Sequence, residues 1–395
     1  MTTAQYVAGL SGVPAAKSAI SYIDGERGLL EFRGIAIEEL AAKSNFEEAA
    51  YLLLFGELPT RSQLARFDAD LRRHRRLKFR IIDLLKALPD AVHPMEALQS
   101  AAAALGAFYP GRDAQNVSER YWSVVRLIAK FPTIVAAIER IRHGDEPVGP
   151  RDDLTHTANF LYMLRDEEPD PSDVRLLDKA LILHMDHSMN ASTFTARVVG
   201  STLADPYSVV SSAVGALMGP LHGGANERVL HLLDRIGSPE AAESEVRKML
   251  DAGERIMGFG HRVYHVKDPR AAILQSLAEE RYRERGVNPH YPIALELERV
   301  LTEKLGDRGI HPNVDFYSGC VYESLGIQRD LFTPLFAIAR VVGWLAHWLE
   351  QLEDNRIFRP EQVYVGAHGL AYAPLAVRGE PGGGDAALGP GGRTH

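Results

Sequence analysis

Three short segments of the sequence combine glycines with a side chain that can hold or exchange a proton. They are residues 221–227 around His222, residues 258–262 around His261 and residues 313–319 around Asp315. Ordinary helix packing does not require such a combination, because glycine is used where the backbone must approach a ligand or another segment closely. The three segments therefore predict a site that works by acid and base chemistry.

The surroundings of His222 and Asp315 predict different roles. His222 lies just before paired glycines and a helical run, and a helix N-terminus disfavours an imidazolium. We therefore expect a neutral ring that donates a hydrogen bond to an oxygen gaining negative charge; an ordinary loop histidine is the alternative.

Asp315 lies between Val314 and Phe316, and burial among such neighbours would raise its pKa and make it a stronger base. A carboxylate that only caps a helix is the alternative.

His261 begins a loop that is rich in basic groups, which predicts an anion-binding segment. The other basic side chains of the loop are Arg262, His265, Lys267 and Arg270. Arginine binds a carboxylate through two hydrogen bonds, whereas lysine suits phosphate as a point charge. The loop could thus hold a carboxylate at one end and a phosphorylated carrier at the other. A solvated surface loop is the alternative.

Arg340 is predicted to lie on the apolar face of a helix that Thr333 caps and Pro334 opens. A buried guanidinium needs an anion, which is either a ligand or a structural Asp or Glu. No metal site is predicted, because His184 and His187 lie three residues apart without a third ligand at a suitable spacing.

Helical signals dominate the elements that must position these groups. One β-hairpin is predicted from residues 19–23 and 29–32. Capping patterns predict helices that begin after Asn45 and Thr60. Apolar periodicity predicts further helices over residues 118–131, over 153–165 and from Ser172 onward. The expected fold class is therefore mostly α.

The composition is that of a globular protein and excludes several classes. The 395 residues, 46% of them hydrophobic, suffice for one large domain or two unequal ones. The single cysteine, Cys320, allows no intrachain disulfide or thiolate cluster, and a net charge of -8 has the wrong sign for binding nucleic acid. No apolar stretch reaches the ~18 uncharged residues of a membrane span, and no signal-like segment is seen, so we expect a cytoplasmic protein. Residues 379–395 are glycine-rich and expected to be disordered.

Six motifs in one order resemble those of the citrate synthase family, over about residues 20 to 372. They are Tyr22-Ile23-Asp24-Gly25 with Arg33-Gly34, His187 with Asn190, His222-Gly223-Gly224-Ala225-Asn226, Gly258-Phe259-Gly260-His261-Arg262 with Arg270, Asn313-Val314-Asp315, and Arg359-Pro360. The resemblance implies an almost all-α fold in which a small helical domain, residues 222–322, is inserted between two parts of a large one, residues 1–221 and 323–378. It also implies a homodimer with a shared active site and a cleft that closes on substrate.

The family's reaction, which the resemblance implies here, is an acyl transfer of the tricarboxylic acid cycle. Acetyl-CoA condenses with oxaloacetate, and the citryl-CoA formed is hydrolysed to citrate and CoA. By resemblance Asp315 is the base, His222 donates to the thioester oxygen, and His261 polarises the ketone. The carboxylates of oxaloacetate would be held by His187, Arg270, Arg340 and, from the partner subunit, Arg359. Contacts to CoA would come from Arg262, His265 and Lys267. The resemblance implies no metal or other cofactor, since acetyl-CoA is itself a substrate.

Two alternatives stay open at this point. A 2-methylcitrate synthase would condense propionyl-CoA with the same residues, and one methyl group is worth only about 1 to 3 kcal/mol in an apolar pocket. A catalytically inactive helical interaction protein on the same scaffold is the remote alternative, against which the presence of His222, His261 and Asp315 together argues. Assemblies larger than a dimer, allosteric control and the role of the tail also stay open.

Overall fold

Helices make up almost all of the regular structure, as the sequence predicts. A computed structural model describes residues 6–286 and 288–378, so the predicted disordered tail, residues 379–395, lies outside the described residues. The α-helices are α1 (Ile37–Lys43), α2 (Phe46–Phe55), α3 (Arg61–His74), α4 (Phe79–Lys86), α5 (Pro94–Leu105), α6 (Val117–Arg142), α7 (His156–Arg165), α8 (Pro171–His184), α9 (Ala191–Ser201), α10 (Pro206–Met218), α11 (Ala225–Ile236), α12 (Ala242–Asp251), α13 (Pro269–Arg285), α14 (His290–Leu305), α15 (Val314–Ser324) and α16 (Phe332–Glu353).

The predicted hairpin forms most of a small antiparallel sheet. Strand β1 (Ser21–Asp24) pairs with β2 (Leu29–Phe32), and a third strand, β3 (Ile35–Ala36), pairs with β2. The turn after β1 packs on the basic loop, because His265 N donates to Gly25 O at 3.0 Å. A Cβ at Gly25 would lie 1.9 Å from Val263 O, so only glycine allows this contact. The sheet therefore supports the loop that begins at His261.

Local capping starts two helices where the sequence predicts them. Asn45 accepts a hydrogen bond from Glu48 N at the start of α2. Thr60 and Gln63 form a reciprocal capping box at the start of α3. These boundaries depend only on residues three apart, which is why the sequence alone predicts them.

The helix predicted over residues 153–165 begins later, at His156, where Thr155 is the N-cap. Two further predicted helix boundaries are wrong for physical reasons that lie outside the local sequence. α6 does not end at Pro132 but continues to Arg142, and the side chains on both sides of the proline are buried. This burial outweighs the one backbone hydrogen bond that proline cannot make. Thr333 is not a cap, because α16 begins at Phe332 and the Thr333 hydroxyl donates instead to Glu227.

Helix α16 occupies the centre of the core. It is buried along nearly its whole length and packs against α2, α6, α8, α9 and α10. Within residues 6–286 and 288–378, two helical segments have the length and composition to cross a membrane, α6 and Arg329–Glu353. Their most apolar stretches are 83% and 100% buried inside the protein, respectively. Burial in a protein core accounts for that apolar character.

The chain divides into two units. The larger one, Ala15–Phe358, contains the sheet and α1 to α16. The smaller one comprises, among the described residues, 6–14 and 359–378, with short 3-10 helices at Ala8–Leu10 and Leu375–Val377. A division into a small helical domain at residues 222–322 and a large one around it stays a prediction.

Candidate active site

The segments that contain His261 and Asp315 are tied together by hydrogen bonds. Asn313 N donates to Gly258 O and Asn313 Nδ2 donates to Gly260 O, each at 2.9 Å. Gly258 has a φ of +81°, and a Cβ there would meet neighbouring side chains at 2.8 Å. Glycine is therefore needed at this position for the two segments to meet.

Asp315 lies in the first turn of α15 without capping it. The cap is Asn313, whose Oδ1 accepts from Asp315 N at 3.0 Å, so the capping alternative for Asp315 is wrong. Asp315 Oδ1 is buried and has no hydrogen-bond partner among residues 6–286 and 288–378. Burial raises the pKa of Asp315 to about 7, although the charges of Arg270 and Arg340 act to lower it. Such a carboxyl is suited to accept a proton near neutral pH.

His222 lies two residues before the N-cap of α11, as predicted, and is paired with Ser192 of α9. Ser192 N donates to His222 Nε2 at 3.3 Å, and Ser192 Oγ lies 2.9 Å from the same nitrogen. A nitrogen that accepts a backbone N–H carries no proton of its own, so the proton of the neutral ring is on Nδ1. Burial, followed by the charge of Arg340, lowers the pKa of His222 to about 4, so the ring is neutral at pH 7.

His261 has the opposite tautomer. Its Nδ1 accepts hydrogen bonds from Val263 N and Tyr264 N, at 3.0 and 3.1 Å, so the proton of the neutral ring is on Nε2. Burial, followed by the charge of Arg270, lowers the pKa of His261 to about 4. Each of the two histidines therefore has one N–H available, the type of donor that stabilises an oxygen gaining negative charge.

His187 lies against His261, with 5.1 Å between the ring centroids. Its Nε2 is 3.3 Å from the hydroxyl oxygen of Tyr264. Burial, followed by the charge of Arg270, keeps the pKa of His187 well below its ordinary value. The ring can therefore serve as a neutral hydrogen-bonding group beside His261.

Arg270 and Arg340 supply positive charge to the same region. Arg270 donates twice to the carboxylate of Asp268, from Nε to Oδ1 at 3.0 Å and from Nη2 to Oδ2 at 2.7 Å. Arg340 donates from Nε to His184 O at 2.8 Å and has no ion pair with any carboxylate of the described chain. Burial lowers the pKa of Arg340 to about 10. Since a buried guanidinium without a counter-ion is costly, the site is suited to an anionic ligand rather than to a structural partner for Arg340.

One group of side chains in this region could hold a metal ion. One ligand atom each from His187, His261 and Asp268 lies within 4.8 Å of the others. The group does not include His184, whose Nδ1 faces the Ala180 carbonyl oxygen at 2.7 Å. The Asp268 carboxylate is already paired with an arginine, and a second buried arginine adds positive charge nearby. Electrostatics therefore favours an anion over a cation here.

The residues predicted to contact CoA differ in whether a carboxylate of the protein neutralises their charge. Arg262 and His265 are exposed, and His265 Nε2 lies 3.6 Å from a carboxylate oxygen of Glu26. Lys267 Nζ forms an ion pair with Glu298 and a hydrogen bond of 2.6 Å with Gln275 Oε1. The charge of Lys267 is thus neutralised within the protein, which leaves Arg262 as the better phosphate ligand.

Arg359 lies in the smaller unit, whereas the other predicted site residues lie in Ala15–Phe358. Its side chain is exposed, and its Nη1 donates to Pro360 O at 3.2 Å. Its contact with a substrate across a subunit boundary stays a prediction.

Three residues of the site were not found from the sequence, namely Ser192, Tyr264 and Trp344. Ser192 is 30 residues from His222 and 152 residues from Trp344, whose indole Nε1 donates to Ser192 Oγ at 3.0 Å. No local pattern marks such pairs. The one available signal was the i, i+4 spacing that places Trp344 on the same face of α16 as Arg340.

Comparison with known proteins finds one family. Residues 9–361 match the family model described as citrate synthase, C-terminal domain. The chain is 57% identical over 370 residues to a citrate synthase of Synechocystis sp., covering 94% of this chain and 93% of the relative. It is 49% identical over 385 residues to a citrate synthase of Acidithiobacillus ferridurans, covering 96% and 100%.

Solved structures show the same fold. Citrate synthase from Pyrobaculum aerophilum superposes with a TM-score of 0.89 at 43% identity, covering 94% of this chain and 95% of that one. The ternary complex of carboxymethyl coenzyme A and oxaloacetate with citrate synthase from Thermoplasma acidophilum superposes with a TM-score of 0.91 at 32% identity, covering 95% and 100%.

Proposed function

The chain belongs to the citrate synthase family, and from this premise we propose that it condenses acetyl-CoA with oxaloacetate and hydrolyses citryl-CoA to citrate and CoA. The observation that carries the proposal is that one site combines two neutral imidazoles of opposite tautomer with a carboxyl of pKa about 7 that has no partner among the described residues. A base and two N–H donors are the groups that enolisation followed by carbon–carbon bond formation requires.

In the first step the Asp315 carboxylate removes a proton from the methyl group of acetyl-CoA. The C–H electron pair becomes the C=C bond of an enol or enolate, and His222 donates from Nδ1 to the thioester oxygen as it gains charge. The transfer is uphill by on the order of ten pKa units, or roughly 14 kcal/mol. A shift of the Asp315 pKa from 3.8 to about 7 reduces that difference by about three units, roughly 4 kcal/mol. Stabilisation of the enolate by the site must offset most of the remaining free-energy difference.

In the second step the enol carbon attacks the ketone carbon of oxaloacetate. A C–C bond forms, the ketone π electrons move to oxygen, and His261 donates its Nε2 proton to that oxygen. The carboxylates of oxaloacetate are bound by His187, Arg270 and Arg340, with Arg359 of a second subunit. In the third step water adds to the thioester carbonyl of citryl-CoA, and one of its protons restores Nε2 of His261. The C–S bond breaks and the sulfur takes the proton that Asp315 received from the methyl group, so CoA leaves as the thiol. The new carboxyl group of citrate releases the remaining proton of the water to solvent.

The carrier would be bound at its phosphates by the exposed basic loop. Arg262 is the main candidate, with His265 beside it and Lys267 in a secondary role because of its internal ion pair. All three steps balance with protons held by side chains and water, so we propose that no metal or other cofactor takes part.

The proposed assembly is a homodimer whose two sites each use residues of both chains, with a small domain at residues 222–322 that closes the cleft. A reducing location such as the cytoplasm is proposed on the basis of the single cysteine, which is buried.

The test is steady-state kinetics with detection of the free thiol. Acetyl-CoA with oxaloacetate should release CoA and produce citrate, with kcat/KM at least tenfold above that for propionyl-CoA. A higher kcat/KM for propionyl-CoA would indicate 2-methylcitrate synthesis instead. Thiol release that does not depend on oxaloacetate would overturn the proposed condensation.

A further inference from the structure

Asp186 is a completely buried residue that directly precedes His187. It belongs to residues 185–190, which connect α8 to α9. Its Oδ2 accepts hydrogen bonds from Ser21 Oγ at 2.6 Å and from Ser188 N at 3.2 Å. Ser188 N also donates to Ser21 Oγ at 3.0 Å. The Asp186 carboxylate therefore connects strand β1 to the residue that follows His187.

The backbone after His187 has a conformation that needs such support. Ser188 has a φ of +49°, in the left-handed region that a residue with a Cβ rarely adopts. A conformation of this kind persists only where surrounding contacts hold it. The hydrogen bonds from Ser188 N to Asp186 and Ser21 are contacts of that kind. Without the Asp186 carboxylate, the backbone at Ser188 could relax and displace the His187 ring.

The third donor to Asp186 is His347 of α16, and Arg197 determines where the ring proton of His347 lies. His347 Nε2 is 3.3 Å from Asp186 Oδ2 and 3.2 Å from Oδ1. On the other side of the ring, Arg197 Nε and Nη2 lie 3.1 and 2.9 Å from His347 Nδ1. A guanidinium can only donate, so Nδ1 accepts and carries no proton. The ring proton is therefore on Nε2, which faces the carboxylate.

The charge of Asp186 gives this residue two conceivable effects of opposite sign on substrate binding. Burial acts to raise its pKa, but the contacts with His347 and Ser21 and the charge of Arg340 keep the pKa below its ordinary value. A negative charge at this place repels an anionic substrate, so by charge alone Asp186 weakens oxaloacetate binding. By holding His187 in place it strengthens binding. Removal of the charge therefore distinguishes the two effects.

We propose that Asp186 is a positioning residue whose carboxylate holds His187 in the orientation that binds oxaloacetate. The consequence for binding rests on the proposed function, in which His187 contacts a carboxylate of oxaloacetate. The position of the His187 ring does not depend on that function.

The first experiment is Asp186→Asn. The amide has the same shape, but in either orientation its NH2 group faces an N–H, that of His347 Nε2 or that of Ser188. The KM for oxaloacetate should rise about fivefold to twentyfold, the effect of a lost hydrogen bond to a charged group, with the KM for acetyl-CoA within about twofold of the wild type. An unchanged or lower KM for oxaloacetate would overturn the proposal.

The matched control is Asp173→Asn. Asp173 is also buried and lies in the first turn of α8, where it forms ion pairs with Arg165 and Arg281. This variant should lower the melting temperature and leave the KM for either substrate within about twofold of the wild type. Equal increases in the KM for oxaloacetate in the two variants would overturn the proposal, because loss of any buried carboxylate would then explain them.

The second experiment compares His347→Gln with His347→Leu, and it tests the proposal even if Asp186→Asn fails to fold. A glutamine can donate to Asp186 through its amide nitrogen and accept from Arg197 through its oxygen, whereas a leucine can do neither. His347→Leu should raise the KM for oxaloacetate several-fold, and His347→Gln should keep it within about twofold of the wild type. Equal KM values in the two variants would show that the hydrogen bond to Asp186 does not support the site.

The third experiment needs no substrate and uses nuclear magnetic resonance of the full chain with labelled histidine. The His187 signals, assigned by their loss in His187→Asn, should show a nuclear Overhauser effect to the ring of His261, whose centroid is 5.1 Å away. This effect should weaken in Asp186→Asn and persist in Asp173→Asn, and an unchanged effect in both would overturn the proposal. If the wild type fails to condense acetyl-CoA with oxaloacetate while the effect weakens as expected, then the proposed function fails and the positioning role of Asp186 stands.

Discussion

Asp315 is a carboxyl that folding converts into a stronger base by removing it from water. Its Oδ1 is buried without a hydrogen-bond partner in the part of the chain that the structure describes, and Arg270 and Arg340 only partly offset the rise in its pKa. The unpaired state is costly to the fold, and the role in proton transfer proposed for Asp315 would be a physical reason to retain it. His222 and His261 are changed in the opposite direction, since burial keeps both rings uncharged.

Asp315→Asn should keep the affinity for oxaloacetate and lose turnover. An amide has the same shape but cannot accept the methyl proton, and removal of a general base costs about 10²- to 10⁴-fold in rate. Isothermal calorimetry would measure oxaloacetate binding, and thiol release would measure kcat. A variant with kcat within threefold of the wild type would show that another group is the base.

The pH dependence of kcat/KM should report the Asp315 pKa. The base works when deprotonated, so the rate constant should fall about tenfold per pH unit below pH 7 and level off above it. His222 and His261, with pKa values of about 4, stay neutral from pH 5.5 to 8.5 and add no second inflection there. Initial rates across that range would check this, and a flat profile between pH 5.5 and 7 would contradict it.

Arg262 and Lys267 should respond differently to neutral substitution. Arg262→Met should raise the KM for acetyl-CoA several-fold and leave the melting temperature unchanged, because its side chain is exposed. Lys267→Met leaves the partly buried Glu298 without its cation, so its main effect should be on stability. Kinetics and thermal unfolding of both variants would check the contrast. A larger change in KM for Lys267→Met than for Arg262→Met would reverse the assignment.

Helix α16 is the element that contacts several parts of the site and holds them in place. One face of it contains Arg340, Trp344 and His347, which contact the His184 carbonyl, Ser192 and Asp186, respectively. The other groups that contact substrate in the proposed mechanism lie on loops or in the first turns of helices. A rigid helix that is buried along nearly its whole length thus limits how far these loops can move relative to one another.

Gly343→Ala should disturb this packing more than an ordinary added methyl group. A Cβ at Gly343 would lie 2.2 Å from Met185 O and 2.7 Å from Asp186 Oδ1, next to His187. We expect a loss of about 1–3 kcal/mol in the free energy of unfolding, with a raised KM for oxaloacetate. Denaturant unfolding and steady-state kinetics would measure both effects.

The matched control is Gly149→Ala, in an exposed loop where the nearest atom to the new Cβ is Arg76 Nη1 at 3.9 Å. Its stability should change by less than about 0.5 kcal/mol. If Gly343→Ala were equally harmless, the close approach of α16 to the segment before His187 would not be needed.

For the whole molecule, the proposed dimer predicts that two inactive variants rescue each other. If Arg359 acts on the partner's site, then a heterodimer of Arg359→Ala and Asp315→Asn chains has one site with neither defect and one with both. Random exchange of equal amounts gives about half mixed dimers, so about a quarter of all sites should be restored.

Activity after mixing, with subunit exchange followed by mass-tagged chains, measures this rescue. Each variant incubated alone under the same conditions is the control. Activity that stays at the level of the separate variants despite exchange would show that Arg359 acts within its own chain or not at all.

The sequence by itself determined the helical class, the caps of α2 and α3, the hairpin and most groups that can do the chemistry. These features depend only on residue type and on spacings of a few positions, and both can be read directly from the sequence. It also placed Arg340 on the apolar face of a helix, but it could not tell what that residue contacts.

Only the tertiary structure decided which of those groups are paired. Lys267 forms an ion pair with Glu298, whereas Arg340 forms none with any carboxylate of the described chain. Asn313 rather than Asp315 is the N-cap of α15. The tautomer of His222 depends on the backbone N–H of Ser192, which is 30 residues away. Burial and hydrogen-bond direction arise from contacts between distant segments, so no local pattern could have determined them.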